Sequence, residues 1–589
     1  MEIGRVGVVG CGTMGAGICE VVARAGMPVS FVEVSAEKVA DGYERISQSL
    51  QRAVTRGKLT AEDQEAVLGR ISGATAYDVL VEADLVVEAV PEQVALKHET
   101  FRTLDRVLPA EAILATNTSS LAVTGIAVDT RRADRVVGFH FFNPAPVMPL
   151  IELITTVVTS PAVIDAARAF AERIGKTPVV VHDRAGFVAN LLLFPYLNQA
   201  VGMLEAGYAT REDIDSSMQF GAGHPMGPLA VMDLIGLDSA NAIMERMYEQ
   251  FGDTRHAPRP MIRQLLTAGF KGRKTGRGFY RYVEPNSPHV HEGDVVEPGA
   301  ADPAAVAAWS SVGVLGTGTM AAGIAEVSAR AGFDVALRGR TADKAGQAAL
   351  AVARSLDKAV ERGRLAAGER DAVLHRIHPT ADVADVADCD VVIEAIAEDL
   401  ELKRGLFAEL DRHAKPTAVL ATTTSSRSVI ACAMATQRPE QVLGLHFFNP
   451  AARMRLVEVV PTARTAPAVL EQARAFTQRL GKHAAVCGDR AGFIVNALLF
   501  PYLNDAVKML DEGYATVTDI DAAMKLGCGH PMGPFELMDV VGLDVTLEIC
   551  RALHAEFREP GFAPADLLGH MVSAGYLGRK SGRGFHVYG

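Results

Sequence analysis

The sequence predicts a duplicated α/β plus all-α protein, two copies of one unit, each a doubly wound, mostly parallel sheet followed by a helical domain. Three observations lead there. The segment HFFNPA begins at His140 and again at His446, an offset of 306. Within each half, short apolar runs alternate with helical stretches in the pattern of βαβ units. Later in each half the β runs give out and the apolar spacing becomes helical.

The same offset carries Gly7 to Gly313, Glu88 to Glu394, Ser119 to Ser425, Glu152 to Glu458, Asn190 to Asn496, His224 to His530, Gly278 to Gly584 and Tyr282 to Tyr588. A period this long is no solenoid repeat, and each copy is large enough to fold around its own core. The expected domains are residues 1–186 and 187–283 in copy one and 309–492 and 493–589 in copy two. Residues 284–308, rich in Pro, Gly and acid and without periodicity, read as a linker.

The first apolar run, Arg5 to Gly10, is followed by the turn Gly10-Cys11-Gly12-Thr13-Met14-Gly15 and a helical stretch to Ala25. A second run, Val29 to Val34, carries Glu33. Strand, glycines, helix, strand and then an acid is the arrangement of a dinucleotide-binding Rossmann unit. Gly10 permits the tight turn, Gly12 lets backbone approach a pyrophosphate and Gly15 lets helix and sheet pack, while the helix N-terminus offers free N–H groups to phosphate. A carboxylate at Glu33 suits the ribose hydroxyls of NAD and repels the extra phosphate of NADP. Further runs follow at Asp84 to Val90, Ala112 to Thr116, Arg135 to Phe139 and Pro178 to Val181. From Phe187, FVANLLLFPYLNQAVGMLEAG opens the helical domain.

Composition excludes other classes. The formal charge of -12 disfavours nucleic acid and anionic membrane. No apolar run reaches the ~18 residues of a membrane span, and the start lacks the pattern of a signal peptide, so a soluble, cytoplasmic protein is expected. The seven cysteines form no CxxC pair, which predicts neither a disulfide framework nor a metal site.

Hydride transfer from an alcohol needs a base for the hydroxyl proton, a group to hold that base, and hydrogen-bond donors for the oxyanion. His140 follows a strand, where open α/β sheets place ligands, and Glu152 in the apolar run PLIELI could orient its imidazole. Ser119, Asn143 and Asn190 are neutral hydrogen-bonding candidates at nearby segment ends. The bland alternative is a packed loop histidine beside a solvated carboxylate. His224, without an acid in its neighbourhood, reads as structural, and the run GRKTGRG at Gly272 to Gly278 as part of the C-terminal fold.

NTSS at Asn117 to Ser120, GFHFFNP at Gly138 to Pro144, LIELI, GFVAN at Gly186 to Asn190 and GHPMGP at Gly223 to Pro228 resemble the signature of the 3-hydroxyacyl-CoA dehydrogenases, over the full length of each copy. The resemblance implies NAD-dependent interconversion of (3S)-3-hydroxyacyl-CoA, closest to the short-chain 3-hydroxybutyryl-CoA members, with 3-ketoacyl-CoA. It implies His140 as general acid/base, Glu152 as its partner, and Ser119 and Asn190 as substrate contacts. Gly10, Gly12, Thr13, Met14, Gly15, Glu33, Glu92, Lys97, Asn117 and Asn143 would form the cofactor site. It also implies dimer contacts through the helical domain, which two copies in one chain could satisfy as an intramolecular pseudo-dimer, with or without further oligomerisation. The polyanionic CoA would need local cations. Arg52, Arg56 and Lys58, recurring as Lys358, Arg362 and Arg364, either serve that need or form a solvated helix face. Two other readings are a dehydrogenase of this superfamily acting on a free hydroxy acid and a non-catalytic nucleotide-binding scaffold.

Copy two keeps Ser425, His446, Asn449, Glu458 and Asn496 as its chemical set, and Glu398 and Lys403 beside its nucleotide turn. That turn is Gly316-Thr317-Gly318-Thr319-Met320-Ala321. Glu33 is replaced by Gly339, flanked by Arg338 and Arg340, and Asn117 by Thr423. Copy two is therefore open to NAD, to NADP or to no cofactor at all.

Overall fold

The structure, a computed structural model, describes residues 2–291 and 309–589. Copy one builds an eight-stranded sheet from β1 (Val6–Val9), β2 (Val29–Val32), β3 (Ile71–Ala74), β4 (Leu85–Glu88), β5 (Ile113–Thr116), β6 (Val136–Phe141), β7 (Leu150–Thr155) and β8 (Thr177–His182), in the order β3-β2-β1-β4-β5-β6-β7-β8. Apolar runs such as VGVV and ILAT are buried along their whole length, as strands covered on both faces must be. The covering helices are α1 (Thr13–Arg24), α2 (Ala36–Thr55), α3 (Ala61–Leu68), α4 (Val94–Val107), α5 (Val123–Ala127) and α6 (Pro161–Arg173). The sheet is parallel except where β6 and β7 run antiparallel, and this pairing puts Glu152 directly across from His140. The sequence did not point to β3, because Ser72 and Gly73 interrupt its apolar pattern at the sheet edge.

Copy two repeats the order with β9 (Ser311–Leu315), β10 (Asp334–Arg338), β11 (Ile377–Thr380), β12 (Val391–Glu394), β13 (Val419–Thr422), β14 (Val442–Phe447), β15 (Leu456–Pro461) and β16 (His483–Val486). His446 again faces Glu458 across an antiparallel pair.

The helical domain of copy one comprises α7 (Ala189–Glu205), α8 (Arg211–Gly221), α9 (Pro228–Ile235), α10 (Leu237–Phe251) and α11 (Pro260–Thr267). Its apolar face does not close on itself. Leu197, Val201 and Met232 join Leu498, Leu503 and Met538 of copy two in one continuous core that also takes in Val86 and Leu114 of the copy-one sheet, whereas the other face of that sheet has a cluster of its own and the copy-two sheet has two. The long helix α7 packs against its equivalent Val495–Asp511, and Gln199 Nε2 donates to the Ala497 carbonyl at 2.7 Å. Arg255 Nη1 reaches both carboxylate oxygens of Asp505, at 2.9 and 2.8 Å.

The contacts are reciprocal. Tyr208 of copy one donates its hydroxyl to the Gly488 carbonyl, and Tyr514 of copy two donates to the His182 carbonyl, both at 2.7 Å. Each helical domain thereby packs under the other copy's sheet.

The run GRKTGRG does serve the C-terminal fold. The buried Asp233 accepts from the Phe279 and Tyr280 N–H groups and the Tyr282 hydroxyl, and a Cβ at Gly278 would lie 1.9 Å from the Asp233 carboxylate. One expectation changes at the linker. Residues 284–291 are not free of structure, because Val283 N–H bonds the His289 carbonyl and Tyr282 bridges Val290, folding the segment back on copy one. The rest of the expected linker, residues 292–308, lies outside the described residues. Among those described, no helix is long and apolar enough to cross a membrane, and no group of side chains could hold a metal ion. All seven cysteines are free thiols.

Candidate active site

His140 stands on the last turn-facing residues of β6, and Glu152, fully buried, stands opposite on β7. The imidazole Nδ1 meets Glu152 Oε2 at 2.7 Å. The other carboxylate oxygen accepts from Val188 N–H at 3.1 Å and Ala189 N–H at 2.9 Å, where α7 begins. Helix N-termini present unpaired N–H groups, so this buried carboxylate is satisfied on both oxygens. The backbone there is special. Gly186 and Phe187 both have positive φ, +81° and +50°, an uncommon conformation for a phenylalanine that turns the chain so that two amides face one acid. Phe187 and Phe142 flank the imidazole at ring distances of 5.5 and 4.6 Å. With Nδ1 donating to the carboxylate, Nε2 is left to exchange a proton.

Ser119 and Asn190 come together beside this pair, Asn190 Nδ2 donating to the Ser119 carbonyl at 3.4 Å. Ser119 N–H is held by Glu92 Oε1 at 3.1 Å, and Thr118 Oγ1 bonds the same oxygen. Behind Glu92 the Lys97 ammonium is enclosed, 2.7 Å from Glu88 and 3.1 Å from Glu92. Burial alone would raise the Glu92 pKa, but the Lys97 charge and these hydrogen bonds hold it below the usual carboxylate range. Glu88 was missed as a site residue, though an acid ending an apolar run in both copies was a signal. Thr116 Oγ1 also donates to it at 2.7 Å, so Glu88 fixes Lys97. Lys176 was missed as well. Its ammonium donates to the Ala145 and Met148 carbonyls at 2.6 and 2.8 Å, pinning the loop after Asn143, and burial pushes its pKa down to about 8.

The glycine turn fits a dinucleotide. Gly10 has φ +89°, a Cβ at Gly15 would lie 1.8 Å from the Gly10 carbonyl, and Gly12 has no atom near its would-be Cβ, which leaves its face open. Thr13 and Met14 open α1 beyond it. Glu33 sits at the end of β2, where Oε1 accepts from Cys11 N–H at 2.7 Å, placing its carboxylate beside the turn. Asn117 Oδ1 accepts from Phe141 N–H at 2.9 Å, tying the end of β5 to the end of β6. Asn143, Thr13 and Arg52 line one cleft of about 260 Å³, while Arg56 and Lys58 are exposed beyond the end of α2 and do not line it.

In copy two, His446 Nδ1 meets Glu458 Oε2 at 2.6 Å, and Glu458 Oε1 accepts from Ile494 N–H at 3.0 Å and Val495 N–H at 2.9 Å. Phe493 repeats the positive φ at +47°. Ser425 N–H is held by Glu398 at 3.0 Å, Lys403 lies between Glu394 and Glu398, Asn496 is buried and Asn449 is exposed. The turn differs. Gly316 opens to φ +137°, and the Ala321 methyl, which the geometry of copy one would drive into a carbonyl, is fully buried there. Thr423 has no amide to offer Phe447 as Asn117 does Phe141.

His224, for which the sequence shows no acid partner, packs on the other copy. It bonds the Tyr196 hydroxyl at 3.2 Å and stacks on His530 of copy two, ring centroids 4.1 Å apart.

Family models for the 3-hydroxyacyl-CoA dehydrogenase NAD-binding domain match residues 5–184 and 311–490, and those for its C-terminal domain match residues 186–282 and 492–588. The 3-hydroxybutyryl-CoA dehydrogenase of Mycobacterium tuberculosis H37Rv is 46% identical over 282 residues, 48% of this chain and 99% of that protein. The human mitochondrial hydroxyacyl-coenzyme A dehydrogenase is 41% identical over 47% of this chain and 91% of its own. A solved 3-hydroxybutyryl-CoA dehydrogenase from Escherichia coli K12 is 26% identical, covers 98% of this chain and 100% of its own, and superimposes with a TM-score of 0.69.

Proposed function

The chain belongs to the 3-hydroxyacyl-CoA dehydrogenase family of NAD-dependent oxidoreductases, and from that premise we propose that both of its copies interconvert short-chain (3S)-3-hydroxyacyl-CoA and 3-ketoacyl-CoA, with 3-hydroxybutyryl-CoA as the preferred substrate. The observation that carries the proposal is the twice-built pair of histidine and buried glutamate, with Nδ1 held by the acid and Nε2 without a hydrogen-bond partner among the described residues in each copy.

NAD, held in copy one by the Gly10–Gly15 turn and Glu33, supplies the hydride acceptor when bound. His140 Nε2 takes the hydroxyl proton in oxidation and returns it in reduction. Glu152 is its positioning partner. The carboxylate fixes the tautomer and offsets the charge the ring gains, and the two amides of α7 keep the carboxylate from swinging away. Ser119 and Asn190 hold the substrate oxygen, and Glu92, anchored by Lys97, fixes the segment that carries Ser119. His446, Glu458, Ser425 and Asn496 take the same parts in copy two.

The test follows cofactor absorbance with acetoacetyl-CoA for the wild type, His140→Ala, His446→Ala and the double variant. The double variant should lose ~10²–10⁴-fold in rate, with each single variant retaining the other copy's share. Full activity in the double variant would refute the catalytic role, and equal turnover of free acetoacetate would refute the CoA-ester substrate.

A further inference from the structure

The ribose end of the second nucleotide site is rebuilt. In copy one, the stretch from Val32 to Asp41 holds one cation, Lys38, against Glu33, Glu37 and Asp41, and Lys38 is spent on Asp41 at 2.7 Å. The matching stretch of copy two, Arg338 to Gln347, holds Arg338, Arg340 and Lys344 against Asp343 alone. Within these stretches the formal balance reverses from minus two to plus two, and Gln347 removes the partner that Lys38 has; of the two carboxylates that also line the copy-two cleft, Glu401 is paired with Arg404 and Glu409 lies near Arg338. Among the described residues neither Arg340 nor Lys344 has a carboxylate within ion-pair distance.

The geometry supports the charge. Arg338 and Arg340 line a cleft of about 800 Å³ that also includes Gly316, Thr317, Gly318 and Thr319 of the glycine turn. Glu409 stands 3.8 Å from one Arg338 nitrogen, and the Arg338 Nε is buried without a partner. Gly339 admits no side chain, because a Cβ there would lie 2.6 Å from the Ala345 nitrogen and 3.0 Å from Thr317. Its absence brings the N-terminus of the helix Ala342–Glu361, capped by Thr341, close to the turn. Both copies start a helix here, capped by Ser35 and Thr341, but where copy one sets a carboxylate beside that N-terminus copy two sets two guanidinium groups, the combination that favours a phosphate dianion.

We propose that copy two binds a dinucleotide carrying a phosphate on its adenosine ribose 2'-hydroxyl, NADP or NADPH, with Arg340 and Arg338 as the phosphate ligands. The proposal rests on the reading of both copies as dinucleotide-binding, and it gives one chain two sites for the same acyl couple that draw on different cofactor pools.

Calorimetry on the full chain tests it with adenosine 2',5'-bisphosphate as the probe, 5'-AMP as the control without the 2'-phosphate, and adenosine 3',5'-bisphosphate as the nucleotide end of CoA. One site per chain should bind the 2',5'-bisphosphate at least tenfold more tightly than 5'-AMP. Arg340→Ala should remove that preference and leave 5'-AMP binding unchanged, and Arg340→Lys should restore part of it. Equal affinity for the 2',5'-bisphosphate and 5'-AMP, an unchanged preference in Arg340→Ala, or equal binding of the 3',5'-bisphosphate at the Arg340-dependent site would each overturn the proposal. No turnover enters these measurements. A failed titration therefore leaves the histidine mechanism standing, and a failed histidine variant leaves the phosphate site standing.

Discussion

At the histidine–glutamate pair the two copies agree in every contact, from the histidine nitrogen to the two amides behind the glutamate, yet three and four strands across the sheet their glycine turns and β2-type strand ends share neither charge nor backbone angle. The difference follows from what holds each part. The acid and base sit on two paired strands and are locked by a helix start, so a change at any one of three elements would leave a buried carboxylate short of partners, at a cost of about 1–3 kcal/mol. The ribose end hangs on one strand terminus whose flanking positions, 338 and 340, open on a cleft, so side chains there change without disturbing the paired strands. The histidine–glutamate geometry is thus held jointly by three elements, while the proposed change of cofactor needs only one strand end.

The sharpest way to break this comparison is to exchange the third turn residue. Gly15→Ala forces a methyl against the Gly10 carbonyl at 1.8 Å, and overpacking of this kind costs about 2–3 kcal/mol, a factor of ~30–150. In a chain whose second site is silenced by His446→Ala, NADH-dependent kcat/KM should fall by that factor. The reverse change Ala321→Gly, in a chain carrying His140→Ala, should alter the second site by no more than about threefold, since the wider Gly316 angle no longer needs the methyl. Equal effects would mean the two turns are mechanically alike.

An effect of similar size, on stability and not on rate, is expected from acid. Burial lowers the pKa of His530 to about 4 and carries that of His224 well below its usual value. A histidine kept neutral in the fold but free to protonate when unfolded gives the unfolded chain more protons at low pH. Its contribution is complete above the unfolded value near 6.5 and is lost as pH falls from there to about 4, by roughly 3 kcal/mol for His530. Denaturant midpoints measured across this range should fall more steeply for the wild type than for His530→Gln, and parallel curves would show that the stacked pair does not couple the copies.

The smallest expected effect separates Arg52 from its neighbours. Arg52→Glu, at the cleft shared with Asn143, should raise KM for acetoacetyl-CoA roughly fivefold, about 1 kcal/mol for an exposed charge. Arg56→Glu and Lys58→Glu should not change it. A rise for all three would restore the whole run as a CoA contact.

Much of this was legible in the sequence because a repeat doubles every signal. The offset of 306, the glycine turn and the strand carrying His140 needed only pattern and spacing. Other features had no pattern to read. β3 hides its strand character behind Ser72 and Gly73, and the role of Glu88 depends on Lys97 reaching it through the interior. Tyr208 and Gly488 are 280 positions apart, and no periodicity announces that one copy's helices will brace the other's sheet. The stacking of His224 on His530 was invisible for the same reason: its partner belongs to the other half of the chain.

The ion pair between Arg255 and Asp505 carries a last implication. Their equivalents across the pseudo-twofold axis are Gly561 and Gln199, so the pair is made once, on one side only. A Cβ placed on Gly561 would lie 2.4 Å from the Arg255 side chain, which means that two arginines could not occupy this junction together. In a homodimer every substitution falls on both sides of the axis at once, and this one would meet itself. Joining the halves in a single polypeptide releases the interface from that mirror rule, so that a residue forbidden to identical subunits becomes a clasp between unlike ones.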